Sequence, residues 1–441
     1  MCVTIVMLSS HAHSFLGRSA LKIKVLHLAD IELKEILLFL EEDFDSVEIS
    51  STTSIVEGLN THVGIASIDN FTKKAEVSVE GYYHGSLISA HLSSVVTDIR
   101  ESEGQSSCRP VQDPSLWERP RVSFFDLGSI VSDIYPTDVD VVGHLAYFSS
   151  NSSRASDPDL FIFDIENPSH VVEVSHLNTG PGASALRIAG NHAYVSNTSI
   201  NAQLQIIDIS DRRYPEMTSS FKLLGTYGSS TPLGTALFYK SGKIVLGTSK
   251  SDIGELHYID VMDFHDPIYL DSVELGHGVN DIFAFKDKVY VASAHKDELK
   301  VFDVGVSGTL QETNSYNDPG ATGNGKRLSL FLDTLYFGKT KTFNHYEFFS
   351  FPTSSTSLFP LWKYSMPTSI QGLSVYGNLA FVGLHQLTDS FLVLNVASSS
   401  LMRLNDMLVD LPAPLLDFDC DRDMFVVISE GSSVITFITH Q

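Results

Sequence analysis

The chain has 441 residues, 43% of them apolar, enough to build two or three domains or one large repeat array and too many for wholesale disorder. Its 29 Lys and Arg stand against 53 Asp and Glu, a formal net charge of −24. Such an acidic surface repels phosphate backbones, which excludes sequence-independent nucleic-acid binding.

The first hundred residues carry no repeat. "ALKIKVLHLADIELKEILLFLEE" (20–42) has the length of a helix, with Leu26, Leu33, Leu37 and Leu40 on one side. It does not read as a membrane span, because Lys22, Lys24, Asp30, Glu32, Lys34 and Glu35 would each cost roughly 2.5–3.5 kcal/mol at bilayer depth. "CVTIVML" before it is short for a signal peptide and lacks a basic start. "HVGIASIDNFTKKAEVSVEGYYHGSLISAHLSSVV" reads as strands around a turn at "YYHG". A helix followed by a small antiparallel sheet is similar to the layout of a type IV pilin. That resemblance implies a small α+β module at 1–100 that could self-associate into filaments through its four leucines. Gly17 would correspond to the processing glycine, although Lys22 stands where that family has Glu. Residues 101–118, "ESEGQSSCRPVQDPSLWE", are expected to be a linker.

From residue 136 onward a repeat is plain. "GHLAYFSS" (143–150) returns as "GNHAYVSN", "GKIVLGTS", "KDKVYVAS", "LDTLYFGK", "GNLAFVGL" and "DRDMFVVI". From Tyr147 to Phe425 is 278 residues over six intervals, about 46 each. A second series, "LFIFDI", "LQIIDI", "LHYIDV", "LKVFDV" and "FLVLNV", brings Asp164, Asp208, Asp260, Asp303 and Asn395 into register; the fifth repeat breaks it with "EFFSF". Every run is short, β-branched or aromatic, and bounded by Gly, Pro, Asn or Ser. No helical period intervenes. Four strands at this period make one propeller blade, and seven copies predict seven blades over residues 119–441. The last repeat supplies only three strands, so "RPRVSFFDLG" (119–128) is expected to complete it and remove the open edge. "GNHAYV" with "LQIIDISDRRYP", and "LFIFDIENP", resemble the LVIVD-repeat propellers. This resemblance implies a cell-surface or secreted module that binds or displays rather than catalyses.

The motifs that invite chemistry have simpler readings. "GATGNGKR" (320–327) satisfies the phosphate-loop pattern but carries Arg327 where Ser or Thr would hold magnesium, and it leads into a strand instead of a helix. It reads as a turn. "HAH" (His11, His13) sits on a tail, and "DCDRD" (419–423) reads as a solvated turn in preference to a calcium site. The recurrent Asp is expected to accept local backbone hydrogen bonds. Three distant cysteines, Cys2, Cys108 and Cys420, form no C-x-x-C pair and fit either a reducing compartment or a secreted protein without disulfides. Asn70, Asn151 and Asn197 begin N-x-S/T triplets.

In a four-stranded blade the outer-to-inner and second-to-third loops share one face, and here the latter vary most. Arg187, Asn280, Asp281, Lys326, Arg327 and Gln371 begin inner strands on that face and are the candidate ligand residues. The expected protein is a non-enzymatic extracellular or cell-surface propeller, a filament subunit or adhesin, with itself and a surface ligand as partners and no cofactor or metal. The alternatives are a hydrolase or lyase using the central channel, and an interaction scaffold.

Overall fold

The computed structural model describes residues 50–56, 59–69, 72–83, 86–97 and 108–441, the last apart from 132–133, 152–155, 181, 224–230, 295–296, 320–322, 355–356, 398–401 and 406. The helix expected at 20–42, its four leucines, Gly17 and the "HAH" tail lie outside these residues, as does the pilin likeness that rested on them. The chain divides into two units, Met1–Ser102 and Glu103–Gln441. In the first, strands Ser50–Val56, Leu59–Asp69, Thr72–Tyr83 and Ser86–Thr97 pair in chain order as an antiparallel meander. Strands Thr72–Tyr83 and Ser86–Thr97 lie on either side of the expected turn, and Val77 and Val79 are buried on one face of their strand, as alternation requires.

The second unit is a seven-bladed β-propeller. Six blades are four-stranded antiparallel sheets in chain order, from Pro136–Val142 as the inner strand of blade 1 to Met402–Arg403 as the outer strand of blade 6. Blade 7 takes three strands from the C-terminus and its fourth, Arg121–Asp126, from the start of the unit. Six residue pairs, Arg121↔Thr439 to Asp126↔Val434, close the ring as the incomplete last repeat required. The core is distributed. One apolar cluster fills each gap between neighbouring blades, such as Tyr147, Ile162, Leu186 and Val195 between blades 1 and 2. Each blade buries both faces, which explains second strands that read as nearly continuous apolar runs.

The recurrent carboxylates do act locally. Asp164, Asp208, Asp260 and Asn395 each accept the backbone N–H two residues on, at 2.7–3.0 Å.

Three expectations need correction. Residues 108–118 are part of the propeller, since a linker would not bury Trp117 completely among Phe381, Phe425 and His440. The Trp117 indole N–H donates to Val111 O at 2.9 Å, and Val111 N donates to Asp423 Oδ1 at 2.5 Å. Cys108 and Cys420, separated by 312 residues, form a disulfide with Cα atoms 4.9 Å apart. Spacing along the chain hid it, because ring closure brings the first segment of the unit onto the last blade. Finally, "DCDRD" is not wholly a turn: Asp419, Cys420 and Asp421 end the inner strand Leu415–Asp421, and the turn falls at Arg422, where φ is +48°.

Candidate binding channel

An inner strand has no partner on its channel side, so its N–H and C=O groups need other satisfaction. Side chains of the preceding blade provide it. At the second position of the inner strand, Thr137, Ser184, Thr235 and Asn280 donate to the carbonyls of Ala183, Gly234, Val279 and Gly325 in the next blade at 2.7–2.9 Å. At the third position, Asp138 and Asp281 accept from Leu186 N and Leu328 N at 2.7 and 2.8 Å. At the fifth, Asp140, Ser329 and Asp419 accept from Ile188 N, Val375 N and Val141 N at 2.7–2.9 Å. Much of the channel's polarity is thus required by blade architecture.

Charge concentrates where blade 7 meets blade 1. Asp138 faces the Asp417 carboxyl, and Asp140 that of Asp419, each within hydrogen-bonding reach. Burial, reinforced by Asp417, holds the Asp138 carboxyl well above the usual carboxylate range. Burial and Asp419 push Asp140 up to about 8. Burial also raises Asp281 and Asp419. Two guanidinium groups answer this charge. Arg187 lies within the attraction of Asp138, Asp140, Asp419 and Asp281, which outweighs the burial that opposes its charge. Arg327 reaches from blade 5 to blade 7, its Nη2 3.1 Å from Asp417 Oδ2 and 3.2 Å from Leu416 O. Blade 6 carries Gly372 at the intervening third position. The Arg327 Nε has no hydrogen-bond partner among the described residues.

Of the six candidate residues, the fold brings Arg187, Asp281 and Arg327 into one network. Asn280 belongs to the interblade ladder. Lys326, half-buried beside Arg327, has its pKa lowered by burial, and Gln371 is half-buried at the same position of blade 6. Gly325 to Arg327 open an inner strand, so the glycine-rich run is no phosphate loop. Asp138, Asp140, Asp417 and Asp419 were missed. "TDVDVV" and "LDFDCD" share D-x-D on the inner strands of the first and last blades, which are neighbours in a closed ring. No group of three or more His, Cys, Asp or Glu side chains among the described residues is arranged to hold a metal ion. Asn197 is fully buried, its amide donating to Gln205 Oε1 at 3.0 Å, so the folded chain offers no acceptor for a glycan there.

Residues 137–179 and 182–222, blades 1 and 2, match the LVIVD repeat family. No curated protein matches the chain in sequence. Among solved structures, a putative 6-phosphogluconolactonase from Bacteroides fragilis is similar over 63% of this chain and 85% of its own, with TM-score 0.51 and 11% identity. A Lactobacillus plantarum protein has the same coverage and TM-score at 12% identity. A chain of the COPII outer coat vertex on membranes is similar over 70% of this chain and 84% of its own, with TM-score 0.51 and 10% identity. At such identities the likeness is one of fold. The chain is a seven-bladed β-propeller that carries LVIVD repeats.

Proposed function

We propose that the chain is a non-enzymatic binding or display protein of an oxidising compartment, at the cell surface or outside the cell. The observation that carries this reading is how the channel's polar groups are used. Arg327 bridges blades 5 and 7, Asp138, Asp140, Asp281 and Asp419 cap neighbouring backbone, and the acids pair with one another. Groups committed in this way hold a ring together and are poorly placed to turn over substrate. Recognition then falls to the loops between second and third strands, which differ in every blade while the scaffold beneath them is constant. The Cys108–Cys420 disulfide supports the compartment, since such bonds persist where thiols are not kept reduced. In this reading the N-terminal unit is the route to self-association, as a filament subunit or adhesin anchor, with Leu26, Leu33, Leu37 and Leu40 as its contact residues.

Two measurements on native cells test the proposal. Trypsin added to intact cells should shave the propeller, and alkylation before lysis should leave the Cys108–Cys420 peptide disulfide-linked. Protection from trypsin together with alkylated cysteines would overturn it. Channel chemistry is the second reading, favoured by the raised pKa of Asp140, the condition a general acid needs near neutral pH. A hydrolytic activity abolished by Asp140→Asn without loss of fold would establish it.

A further inference from the structure

Residues that recur in every blade belong to the repeat, so a buried reactive group that occurs once calls for its own explanation. The sixth residue of each second strand is Ser150, Asn197, Thr248, Ser293, Lys339, Leu384 or Ser429, which is the last residue in every blade but the second. Lys339 alone is charged, and its side chain is fully buried. It meets Glu298, which belongs to the repeat: like Asp159, Glu255 and Glu347, Glu298 precedes a third strand and accepts a backbone N–H from the end of the outer strand. Asp318, whose N–H Glu298 accepts at 3.2 Å, does not recur. Thr179, Leu223, Leu275 and Met366 occupy its place in other blades.

The three side chains are closely set. Lys339 Nζ lies 2.5 Å from Glu298 Oε1 and 3.8 Å from Asp318 Oδ2, with Glu298 and Asp318 only 1% and 3% exposed. His345 Nδ1 is 3.0 Å from the same Asp318 oxygen, the Tyr316 hydroxyl also hydrogen-bonds Asp318, and the Phe349 ring lies 5.7 Å from the ammonium. Burial raises the Glu298 pKa, which suits it to take and return a proton.

We propose that Lys339 and Asp318 condense into an intramolecular isopeptide bond that staples blade 5 to the outer end of blade 4. The Lys339 ammonium first passes one proton, by way of Glu298, to the Asp318 carboxylate, leaving an amine and a carboxylic acid, and Nζ then attacks the Asp318 carboxyl carbon. Glu298 Oε1 accepts the proton released from nitrogen and returns it to the departing oxygen, while His345 donates to the Asp318 oxygen as charge develops. The Nζ–Cγ bond forms, one Cγ–O bond breaks, and one water leaves. No oxidant or other reactant is needed. The product is a neutral amide in place of a buried cation and carboxylate, whose desolvation is costly.

Reduced full-length chain digested with trypsin tests this directly. The expected product is Val301–Lys326 joined to Leu328–Lys341, lighter than the two fragments by one water, with no cleavage after the acylated Lys339. Lys339→Met should abolish the joined species. Glu298→Gln, which keeps an acceptor for Asp318 N, should fold and yield separate fragments. Wild-type chain cleaved after a free Lys339 would overturn the proposal. So would Lys339 joined to Asp297–Lys300, which would make Glu298 the acyl partner.

Discussion

Asp140→Asn should stabilise the propeller above neutral pH. In the folded chain Asp140 keeps its proton to about pH 8, against an ordinary value of 3.8. The folded state therefore binds more protons than the unfolded state between those limits, and stability falls as pH rises through the window. About four pH units at about 1.4 kcal/mol each set the full excursion at roughly 6 kcal/mol. Asparagine is a permanently neutral counterpart of the protonated acid. Its oxygen can accept from Ile188 N and its amide can donate to Asp419, so both contacts survive while the pH-dependent loss does not. Urea unfolding at pH 5, 6.5 and 8 should give a wild-type stability that declines and a variant that declines less steeply, since the raised carboxyl of Asp138 remains in both, with the variant several kcal/mol ahead at pH 8. Asp140→Ala is the control: it leaves Ile188 N without its acceptor and should cost about 1–3 kcal/mol at pH 5. Asp138, Asp417, Asp419, Asp281, Arg187 and Arg327 face the same seam and remain in every variant. A wild-type stability flat from pH 5 to 8, or an Asn variant weakened equally throughout, would refute the reasoning from a raised Asp140 carboxyl.

Three other outcomes are expected. Cys420→Ser should lower stability by about 2–5 kcal/mol, because the bond closes a loop of 312 residues' separation; thermal melting with and without reductant measures it, and the variant should be indifferent to reductant. A chain truncated to begin at Val131 lacks the closing strand and Trp117, exposes the Val434–Thr439 edge, and should aggregate, whereas one beginning at Gln105 should sediment as a folded species. His257, buried with Nδ1 3.1 Å from the Tyr269 hydroxyl, has its pKa lowered by burial to about 4. The unfolded chain thus binds the extra proton between pH 6.5 and 4, and about 3 kcal/mol should be lost as pH falls through that window. His257→Gln should remove this slope in unfolding curves at pH 4.5 and 7.

The blades and their closure were legible because each strand's identity is written locally, in a period that short runs of apolar residues repeat. The recurrent Asp was legible for the same reason, its acceptor role being settled within two residues. The channel network was not. Its four missed aspartates sit in "TDVDVV" and "LDFDCD", at opposite ends of the repeat array, and only the closed ring makes them neighbours. Cys108 was obscured differently: the Ser-, Pro- and acid-rich composition of residues 101–118 conceals the hydrogen bonds and the indole that tie 108–118 to blades 6 and 7. Lys339 was visible as a break in its column, yet its partners lie 21 and 41 residues upstream, beyond any local pattern.

The order of Cys108 and the closing strand along the chain has a mechanical consequence. Arg121–Asp126 is held in blade 7 by backbone pairs, and a pull on its N-terminal end would load those pairs one after another. Cys108 lies upstream of that strand and is bonded to Cys420 in the inner strand of the same blade. Tension arriving from the N-terminal unit therefore passes through the sulfurs into the blade's interior and leaves the closing strand slack. While the disulfide is intact, peeling cannot begin at the strand that seals the ring, and the propeller can be tethered by its N-terminal side without being opened by it.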